Sequence, residues 1–449
     1  MNLRKSNNFN ENYAARFVRL QNVRKHINAD RLQCVSVIGN NVITDLSAKD
    51  GDVYIFFPAE TKLNADFIAF TNGFRDKELN RDKSAKAGFF EDNCRIKNIK
   101  LREEKSEGYI VSLSDFSDFL LHKKLNAEFD DSLLNTDFDM IESLVICQKY
   151  FVEPPAQVRL SKSEKRANKL ARFDRLDTSQ FRFHIDTSHL GKNLFKIQPY
   201  SVISVTNKIH GSSVIVSKVM VNRKLTFLER FAKKFLGICV LEKEYDVIYA
   251  SRTVVKNRYI NQNAGSYYGV DIWSMVGEQL KDRVQSGITL YGEVAGYLPT
   301  GAYIQKNYDY GNLKGEYSVF IYRITHTSAD GKVFEFSWPQ IKQYCAKYGL
   351  THVPEFFYGQ AKDLFPELEL GENWKSDFYA KLTEKYLEKD CNMCFNAVPS
   401  EGVVLRIERS FDDFEAYKHK SFRFKNLESK NADNGESNLE DEQHLQEEN

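Results

Sequence analysis

The sequence predicts an α+β protein in which a small β-rich domain is followed by a larger mixed domain. Residues 13 to about 125 hold many short strand-like segments separated by turn signals. A Pro154-Pro155 pair then opens a polar, basic run, as at a domain boundary. From about residue 183, apolar strand-like runs are mixed with helical segments. A chain of 449 residues is long enough for two or three such domains.

The composition is that of an ordinary soluble globular protein, with 42% apolar residues and a net charge of +1. A nucleic-acid binder with this balance must concentrate its basic residues on one face. The first residues contain no apolar core segment, and no window approaches the length of a membrane-spanning helix. The seven cysteines are irregularly spaced, as in a reduced interior. We therefore expect a cytoplasmic monomer with no membrane partner.

The first domain, residues 1–150, is predicted from its strands. The segment LQCVSVIGNNVITD indicates a hairpin turned at Gly39-Asn40-Asn41. The segments GDVYIFFPAE and RIKNIKLREEKSEGYIVSL add further short strands. Short β-segments of this kind favour a small barrel or sandwich.

Four basic residues are crowded into one of these predicted strands: Arg95, Lys97, Lys100 and Arg102. They fit a solvated edge strand whose charges block aggregation. They also fit a phosphate-facing patch on a barrel. The sequence leaves both readings open, and the second would make these residues a nucleic-acid-binding surface.

Residues 151–182 are predicted to form a basic linker that is helical at its centre. It is either a solvated linker helix or a path across a polyanion. Residues 427–449 are acidic, polar and almost without apolar side chains, so we expect a disordered tail.

One Cys-x-x-Cys motif, Cys391 to Cys394, has no second such pair and no histidine pair at zinc spacing. A zinc site remains an alternative. The favoured interpretation is two unrelated, half-buried thiols.

The second domain, residues 183–426, is predicted from six strand-like runs: SVISV, SSVIVSKV, YDVIYASR, ITLYGEVAG, YSVFIYRIT and GVVLRIE. Between the second and third runs, KLTFLERFAKKFLG indicates an amphipathic helix capped by Gly237.

Polar residues break this strand pattern, and each is expected at a strand end, where side chains face a cleft. They are Lys208, His210, Gly211, Arg252, Glu293, Glu401, Lys418 and Lys420. Basic side chains can hold a triphosphate, with the arginine as a fork. Two carboxylates can hold a hard divalent cation, directly or through its waters.

The remaining lysine could attack phosphorus. A free lysine has a pKa near 10.4, so only about one in two thousand is neutral at pH 7. Cationic neighbours, a metal or desolvation lower that pKa. A cleft with several positive charges and a metal would provide such conditions.

Six segments resemble, in order, the motifs of the covalent nucleotidyltransferases, which include ATP-dependent ligases and capping enzymes. KIHG is similar to the first motif, Lys-x-(Asp/His/Asn)-Gly, and SRT to motif Ia. YGEVAG resembles motif III, YSVFIYRI motif IIIa, EGVVLR motif IV and YKHKSFRF motif V. A lone Lys-x-x-Gly carries little information, but six motifs in the family order are specific.

Two features narrow the resemblance to RNA ligases. His210, where DNA ligases and capping enzymes usually carry Asp, resembles the RNA ligase 2 group and the editing ligases. The N-terminal segments NADRLQCVSVIGNNVI, GDVYIFFPAE and RIKNIKLREEKSEG resemble the OB-type domain of the RNA ligase 5 family. Only about 25 residues follow motif V, too few for a barrel, so a nucleic-acid-gripping module must lie upstream.

The resemblance implies a fold and a role for each matching residue. The expected fold is an N-terminal OB-type β-barrel followed by an antiparallel-sheet-rich, ATP-grasp-like nucleotidyltransferase domain. Lys208 would carry AMP, with His210 as a second catalytic residue acting in later steps. The expected nucleotide-binding residues are Asn207, Ile209, Ser213, Arg252, Glu293, Phe320, Tyr322, Lys418 and Lys420.

Two finer assignments follow. Glu293 and Glu401 would organise the waters of the metal. Phe320 and Tyr322 share a strand face at period two, and Tyr322 is favoured to stack on adenine.

The implied function is an ATP-dependent RNA ligase that seals 3′-OH/5′-phosphate breaks through lysyl-AMP with Mg²⁺ or Mn²⁺. The expected partner is RNA or a nicked duplex with an RNA 3′-OH end, hence a role in RNA repair. A capping-type guanylyltransferase, a DNA ligase and a catalytically silent protein that binds RNA ends are the alternatives.

Overall fold

The computed structural model describes residues 1–152, 174–256, 270–409 and 415–436, which fall into two compact units. Unit 1 contains residues 1–152, 188–195 and 420–436. Unit 2 contains the described residues from 174–187, 196–256, 270–409 and 415–419. Among the described residues, no helix combines the length and apolar character needed to cross a membrane.

The first 152 residues are mostly strand. The strands are β1 (Leu3–Arg4), β2 (Ala15–Arg19), β3 (Arg24–Lys25), β4 (Gln33–Val37), β5 (Asn40–Thr44), β6 (Val53–Pro58), β7 (Thr61–Leu63), β8 (Ile99–Leu101), β9 (Glu104–Ser106), β10 (Gly108–Ser112), β11 (Asp137–Phe138), β12 (Met140–Ile141), β13 (Leu144–Val145) and β14 (Cys147–Lys149). The helices are α1 (Ala65–Phe70) and α2 (Leu113–His122).

The remaining described residues alternate strands and helices. The strands are β15 (Ser188–His189), β16 (Val202–Asn207), β17 (Ser212–Asn222), β18 (Lys243–Ala250), β19 (Val255–Lys256), β20 (Ile288–Gly296), β21 (Tyr317–Thr327), β22 (Val333–Glu335), β23 (Thr351–His352), β24 (Glu355–Gln360), β25 (Gly402–Ile407) and β26 (Glu415–Lys420). The helices are α3 (Leu190–Asn193), α4 (Phe227–Leu236), α5 (Ile272–Leu280), α6 (Trp338–Tyr348), α7 (Ala361–Leu364), α8 (Trp374–Tyr386) and α9 (Phe422–Asp433).

Unit 1 is built from small antiparallel sheets. The largest has the order β10-β6-β2-β11, and a second has the order β3-β4-β5. A buried aromatic cluster packs against them, in which Phe17 stacks on Phe138 with ring centroids 5.2 Å apart. No sheet of the described part of unit 1 closes on itself. The mixed α+β class is confirmed, and the OB-type barrel stays a prediction.

The hairpin predicted from GNN is present, but its turn lies one residue earlier. Strands β4 and β5 pair from Val37–Asn40 to Gln33–Thr44, so Ile38 and Gly39 form the turn. Both have positive φ, 53° and 75°, as a two-residue turn matched to the strand twist requires. Asn40 and Asn41 therefore start the second strand.

The prediction that disorder begins at residue 427 is wrong for the first residues of that segment. Helix α9 runs to Asp433, and its Ser421 cap accepts the Phe424 amide. Ser429 and Asp433 of this helix bind the side chain of Arg95 within unit 1. Buried polar contacts hold these residues in place although the segment has few apolar side chains. Residues 437–449 lie outside the described residues, as do linker residues 153–173.

Unit 2 contains two antiparallel sheets. In the first, the strands β26, β25, β16 and β24 lie in that order. The second has the order β19-β18-β17-β20-β21-β22, with β23 added parallel to β21. The six strands predicted from the sequence are all confirmed. The residues after β16 connect directly into β17, so the chain passes from one sheet to the other there.

The predicted amphipathic helix is confirmed as α4. Thr226 and Glu229 form a reciprocal capping box at its start, and Gly237 ends it with φ of 61°. Its apolar face is not buried, since Phe227 and Leu228 are 76% and 75% exposed. The helix is therefore stabilised by its caps and not by packing of its apolar face.

Helix α5 covers the second sheet, and Gly277 lets it approach closely. A β carbon on Gly277 would come within 2.2 Å of the Tyr249 ring in β18. Alanine normally favours a helix by about 1 kcal/mol over glycine. Here we expect Gly277→Ala to lower the free energy of unfolding by about 1–3 kcal/mol, because the site becomes overpacked. Urea denaturation measures the change.

The matched control is Gly371→Ala, because a β carbon at Gly371 meets nothing within 4 Å. We expect the control to leave the free energy of unfolding close to that of the wild type. A Gly277→Ala variant as stable as the control would contradict the overpacking argument.

Candidate active site

The segment Lys208-Ile209-His210-Gly211 connects β16 of the first sheet to β17 of the second. The amide of Lys208 donates to the carbonyl of Gly402 at 3.0 Å. The amide of Asn207 donates to the carbonyl of Pro354 at 2.9 Å. The side chain of Ile209 is buried in the core. Backbone bonds and an apolar anchor thus fix the position of the lysine.

A buried carboxylate holds the lysine and the histidine of this turn together. The Nζ atom of Lys208 lies 2.8 Å from Oε1 of Glu401. Nδ1 of His210 lies 3.9 Å from Oε2 of the same side chain. The Glu401 side chain is 3% exposed and that of Lys208 is 22% exposed. A buried carboxylate requires such a cationic partner, so the pair orients the lysine.

Two tyrosines support His210 from the other side. The amide of His210 donates to the Tyr310 hydroxyl at 2.5 Å. The Tyr308 ring packs edge-on against the imidazole, with centroids 4.8 Å apart, and its hydroxyl donates to the carbonyl of Pro399. Burial raises the pKa of Tyr310 well above its ordinary value, so the hydroxyl stays neutral.

Gly211 is required by the close passage of the turn over β20. A β carbon at Gly211 would lie 2.5 Å from the carbonyl oxygen of Val294. The carbonyl of Gly211 accepts from Nε2 of Gln305 at 2.7 Å. Only glycine fits this position without a shift of the backbone.

A second group of charges joins two of the predicted basic residues. Oδ1 of Asp186 lies 3.2 Å from Nζ of Lys418 and 3.3 Å from a terminal nitrogen of Arg252. Burial alone would raise the pKa of Asp186. The positive charges of Lys418 and Arg252 outweigh burial and hold that pKa well below its usual range. Asp186 is therefore ionised between two cations.

A third group of polar contacts surrounds Tyr322 in the second sheet. The hydroxyl of Tyr322 lies 2.9 Å from Nδ1 of His184 and 3.5 Å from Oγ of Ser213. Ser213 in β17 pairs across the sheet with Glu293 in β20. Glu293 in turn pairs with Phe320 in β21. Ser213, Glu293 and Phe320 thus lie side by side on three neighbouring strands of the second sheet.

Two expectations about strand positions are wrong. Glu293 lies inside β20 and Lys418 inside β26, not at strand ends. The sheet register also shifts between Tyr291 and Gly292, opposite Tyr322. Phe320 packs against Tyr310, whereas Tyr322 contacts His184. The irregularity separates the surroundings of these two aromatic rings, which simple alternation along the strand would have made common.

The other predicted residues occupy separate places. Lys420 pairs with Glu428 of α9 at 2.8 Å, within unit 1. Asn207 donates from Nδ2 to the sulfur of Met393 at 3.2 Å.

The predicted basic patch does not lie in a single strand. The Arg95 side chain is wholly buried between Glu60 and Asp433, and Lys97 pairs with Glu91 and Asp433. Lys100 in β8 and Arg102 after it are exposed. Arg95 therefore acts within unit 1, and its burial argues against a contact with phosphate.

Sequence reasoning missed three residues of this region: Asp186, Tyr308 and Tyr310. His184, two residues before Asp186, was not among the predicted site residues either. These residues come from segments outside the strand pattern, and only the folded chain places them beside the motifs. The sequence carried no signal by which to choose them.

The two cysteines lie on one turn, in which the amide of Cys394 donates to the carbonyl of Cys391 at 3.4 Å. Cys391 is buried and Cys394 is partly exposed. In the described part of the chain, no group of three or more His, Cys, Asp or Glu side chains is arranged to hold a metal ion.

The carboxylates of this region fit a divalent cation only if waters and substrate phosphates supply its other ligands. Glu401 and Glu293 each provide oxygen donors, but the described residues contain no group of three or more acidic, histidine or cysteine side chains that could hold a metal ion. Mg²⁺ is commonly bound by one or two carboxylates together with waters and substrate phosphates. The donor set therefore fits a hydrated cation that arrives with a nucleotide, and not a cage made by the protein alone.

The Asp186 pairs predict how stability depends on pH. Because the pKa of Asp186 is depressed in the folded protein, its contribution is present above about pH 4 and is lost as the pH falls further. We expect Asp186→Asn to unfold at a lower temperature than wild type at pH 6, and the difference to shrink towards pH 3. Thermal unfolding by circular dichroism measures both.

Asp363→Asn, at an exposed aspartate of the same unit, is the control and should match wild type throughout. If the Asp186→Asn difference stayed constant across this pH range, the ionised pair would not be its cause.

Comparison with known proteins identifies the family to which the chain belongs. The family model described as RNA ligase matches residues 201–426, half of the chain. No curated protein matches the chain.

Solved structures of Naegleria gruberi RNA ligase share the fold. A lysine-to-methionine variant with AMP and Mn is 15% identical, with a TM-score of 0.54, over 92% of this chain and 98% of that one. A lysine-to-alanine variant with ATP and Mn is 16% identical, with the same TM-score and coverage. An aspartate-to-alanine variant without ligand is 16% identical, with a TM-score of 0.53, over 96% and 100% of the two chains. At this identity the likeness concerns the fold, whereas the family model covers the Lys208 turn, Arg252, Glu293, Glu401 and Lys418. The chain belongs to the RNA ligase family.

Proposed function

We propose that the protein is an ATP-dependent RNA ligase that works through a lysyl-AMP intermediate on Lys208. The observation that carries the proposal is the pairing of Lys208 and His210 with the buried carboxylate of Glu401, on a turn between two sheets. A nucleophile held in this manner meets its substrate in a fixed position, which supplies much of the rate of a phosphoryl transfer. The AMP, ATP and Mn named for the solved Naegleria enzymes support the same chemistry.

In the first step, Nζ of Lys208 attacks the α-phosphorus of ATP. The new N–P bond forms, the bond to the β-phosphate oxygen breaks, and pyrophosphate leaves. The lysine must lose a proton, and Glu401 at 2.8 Å is a base within reach. Arg252 and Lys418 would stabilise the phosphate charge, and Lys420 is proposed for the same task. A divalent cation at Glu293 and Glu401 would supply further charge neutralisation when bound.

The carboxylate of Asp186, which lies between Arg252 and Lys418, supports the assignment of these two residues to the phosphate site. Asp186 already holds both side chains near one carboxylate oxygen, 3.3 and 3.2 Å away. A phosphate oxygen would form charge-assisted hydrogen bonds with the same two cations. We propose that nucleotide phosphate competes with Asp186 for them. Asn207, Ile209, Ser213, Phe320 and Tyr322 are the proposed contacts of the nucleoside, with Tyr322 against adenine.

In the later steps, AMP would pass from Lys208 to a 5′-phosphate end, and a 3′-OH would then attack that phosphate and release AMP. The favoured substrate is a nicked duplex with an RNA 3′-OH end, in keeping with RNA repair. Lys100 and Arg102 are the exposed basic residues of unit 1 proposed to meet the phosphate backbone. The OB-type character of that unit belongs to the same proposal.

Labelling with α-³²P ATP tests the first step. We expect wild type to take up covalent label in the presence of Mg²⁺ or Mn²⁺ and Lys208→Ala to take up none, because the only proposed nucleophile is removed. Lys218→Ala, at another lysine of the adjoining strand β17, should label as wild type does. Labelling with GTP in place of ATP would favour a capping enzyme. Label on Lys208→Ala would contradict the proposal.

His210→Ala tests a separate role for the histidine. Its imidazole lies 3.9 Å from Glu401 and is not the nucleophile, so we expect lysyl-AMP formation to fall less than the two later steps. Single-turnover assays on a nicked duplex measure adenylylation, AMP transfer and sealing separately. An equal loss in all three steps would show that His210 only supports the turn. Duplexes with RNA or DNA at the 3′-OH side, sealed by wild type, test the substrate preference.

A further inference from the structure

The turn that carries Cys391 and Cys394 touches the strand that delivers Lys208. The amide of Cys394 donates to the carbonyl of Cys391 at 3.4 Å, which closes the turn. Met393, between the two cysteines, accepts from the side chain of Asn207 with its sulfur 3.2 Å away. Asn207 immediately precedes Lys208. Movement of this turn therefore reaches the residue beside the nucleophile.

The same turn is tied to the other side of the Lys208 segment. The carboxylate of Asp309 accepts the amides of Phe395 and Asn396 at 2.8 and 3.0 Å. Tyr310 immediately follows Asp309, and its hydroxyl accepts the amide of His210 at 2.5 Å. The residues that follow Cys394 are thus held by Asp309, beside the tyrosine that supports the histidine.

The two thiols are placed to form a disulfide. A turn of four residues holds its first and last α carbons within about 7 Å, and a disulfide spans about 4.4–6.8 Å between α carbons. The amide of Cys394 donates to the carbonyl of Cys391 at 3.4 Å, so the two cysteines are the first and last residues of such a turn. The neighbouring Cys394 outweighs burial and lowers the pKa of Cys391 to about 7, whereas the pKa of Cys394 is raised. Because the thiolate is the reactive form, Cys391 is the member of the pair that reacts first.

We propose that Cys391 and Cys394 form an oxidation site that takes a small two-electron oxidant of the hydroperoxide class, and that the resulting disulfide slows the formation of lysyl-AMP. The second half of this inference rests on the function proposed above. The first half does not, because the disulfide forms or fails to form whatever the protein catalyses.

The chemistry balances with hydrogen peroxide as the oxidant. The Cys391 thiolate attacks one peroxide oxygen, the O–O bond breaks, and hydroxide leaves, which gives a sulfenic acid. The sulfur of Cys394 then attacks the sulfur of Cys391, and the S–O bond breaks. The thiol proton of Cys394 and the departing hydroxide form water. The two thiols lose two electrons in total, and the peroxide is reduced to two waters once the first hydroxide is protonated.

The effect on the active site follows from the change in distance. A disulfide brings the sulfurs to about 2.05 Å, much closer than a hydrogen bond between thiols. Met393 and Phe395 must move with the turn; Met393 contacts Asn207 beside Lys208, and Phe395 donates to Asp309, which precedes Tyr310. Misplacement of a reacting group by about 1 Å can cost about a hundredfold in rate.

The test is treatment of the reduced full-length chain with hydrogen peroxide. Peptide mapping by mass spectrometry reads the disulfide, and labelling with α-³²P ATP reads the rate of lysyl-AMP formation. We expect a Cys391–Cys394 disulfide, a fall in rate of about tenfold or more, and recovery of the rate with dithiothreitol. Cys394→Ser should form no disulfide and lose the sensitivity to peroxide. Cys239→Ser, at an exposed cysteine, should behave as wild type.

Every other outcome of this experiment contradicts one part of the proposal. Absence of the disulfide after peroxide treatment rejects the oxidation site. A disulfide without a change in rate, or a loss of rate that persists in Cys394→Ser, rejects its effect on the active site. If the reduced protein forms no lysyl-AMP at all, the proposed function fails, whereas the peptide map still decides whether the oxidation site exists.

Discussion

The buried carboxylate of Glu401 is the constraint on which the rest of the site depends. Glu401 immediately precedes β25 of the first sheet, and the lysine and histidine that it holds belong to the turn that leads into the second sheet. Since a carboxylate that is 3% exposed cannot stay charged without a cation, the pairing with Lys208 is part of the fold as well as of the site. The position of the nucleophile is thereby tied to the packing of unit 2.

The site divides its positive charge between two places. Lys208 faces Glu401, and Lys418 and Arg252 face Asp186. Each carboxylate neutralises cations that a nucleotide would otherwise meet unpaired. These pairings reduce the free-energy cost of bringing several partly buried cations together when no substrate is bound. Under the proposed function, a nucleotide phosphate would have to displace Asp186 from these two cations.

The strands, the capped helix α4 and the Lys208 turn could be predicted from the sequence, because each rests on a local pattern of residues. The motifs that carry Arg252, Glu293 and Glu401 could be predicted only through their order along the chain. Asp186, Tyr308 and Tyr310 could not, since their partners lie far away in sequence and no local pattern marks them. The burial of Arg95 and the extension of α9 to Asp433 were missed for the same reason. A polar helix and a buried arginine stabilise each other across more than 300 residues of chain.

We propose that Lys208, held by Glu401, is the residue that receives the nucleotide. Tandem mass spectrometry of the wild-type protein after incubation with ATP and Mn²⁺ identifies the adenylylated residue directly. We expect one adenylate, on the peptide that contains Lys208, attached through a P–N bond that acid cleaves. An adenylate on a different lysine, or an unmodified Lys208 peptide under conditions in which the protein seals RNA, would contradict it.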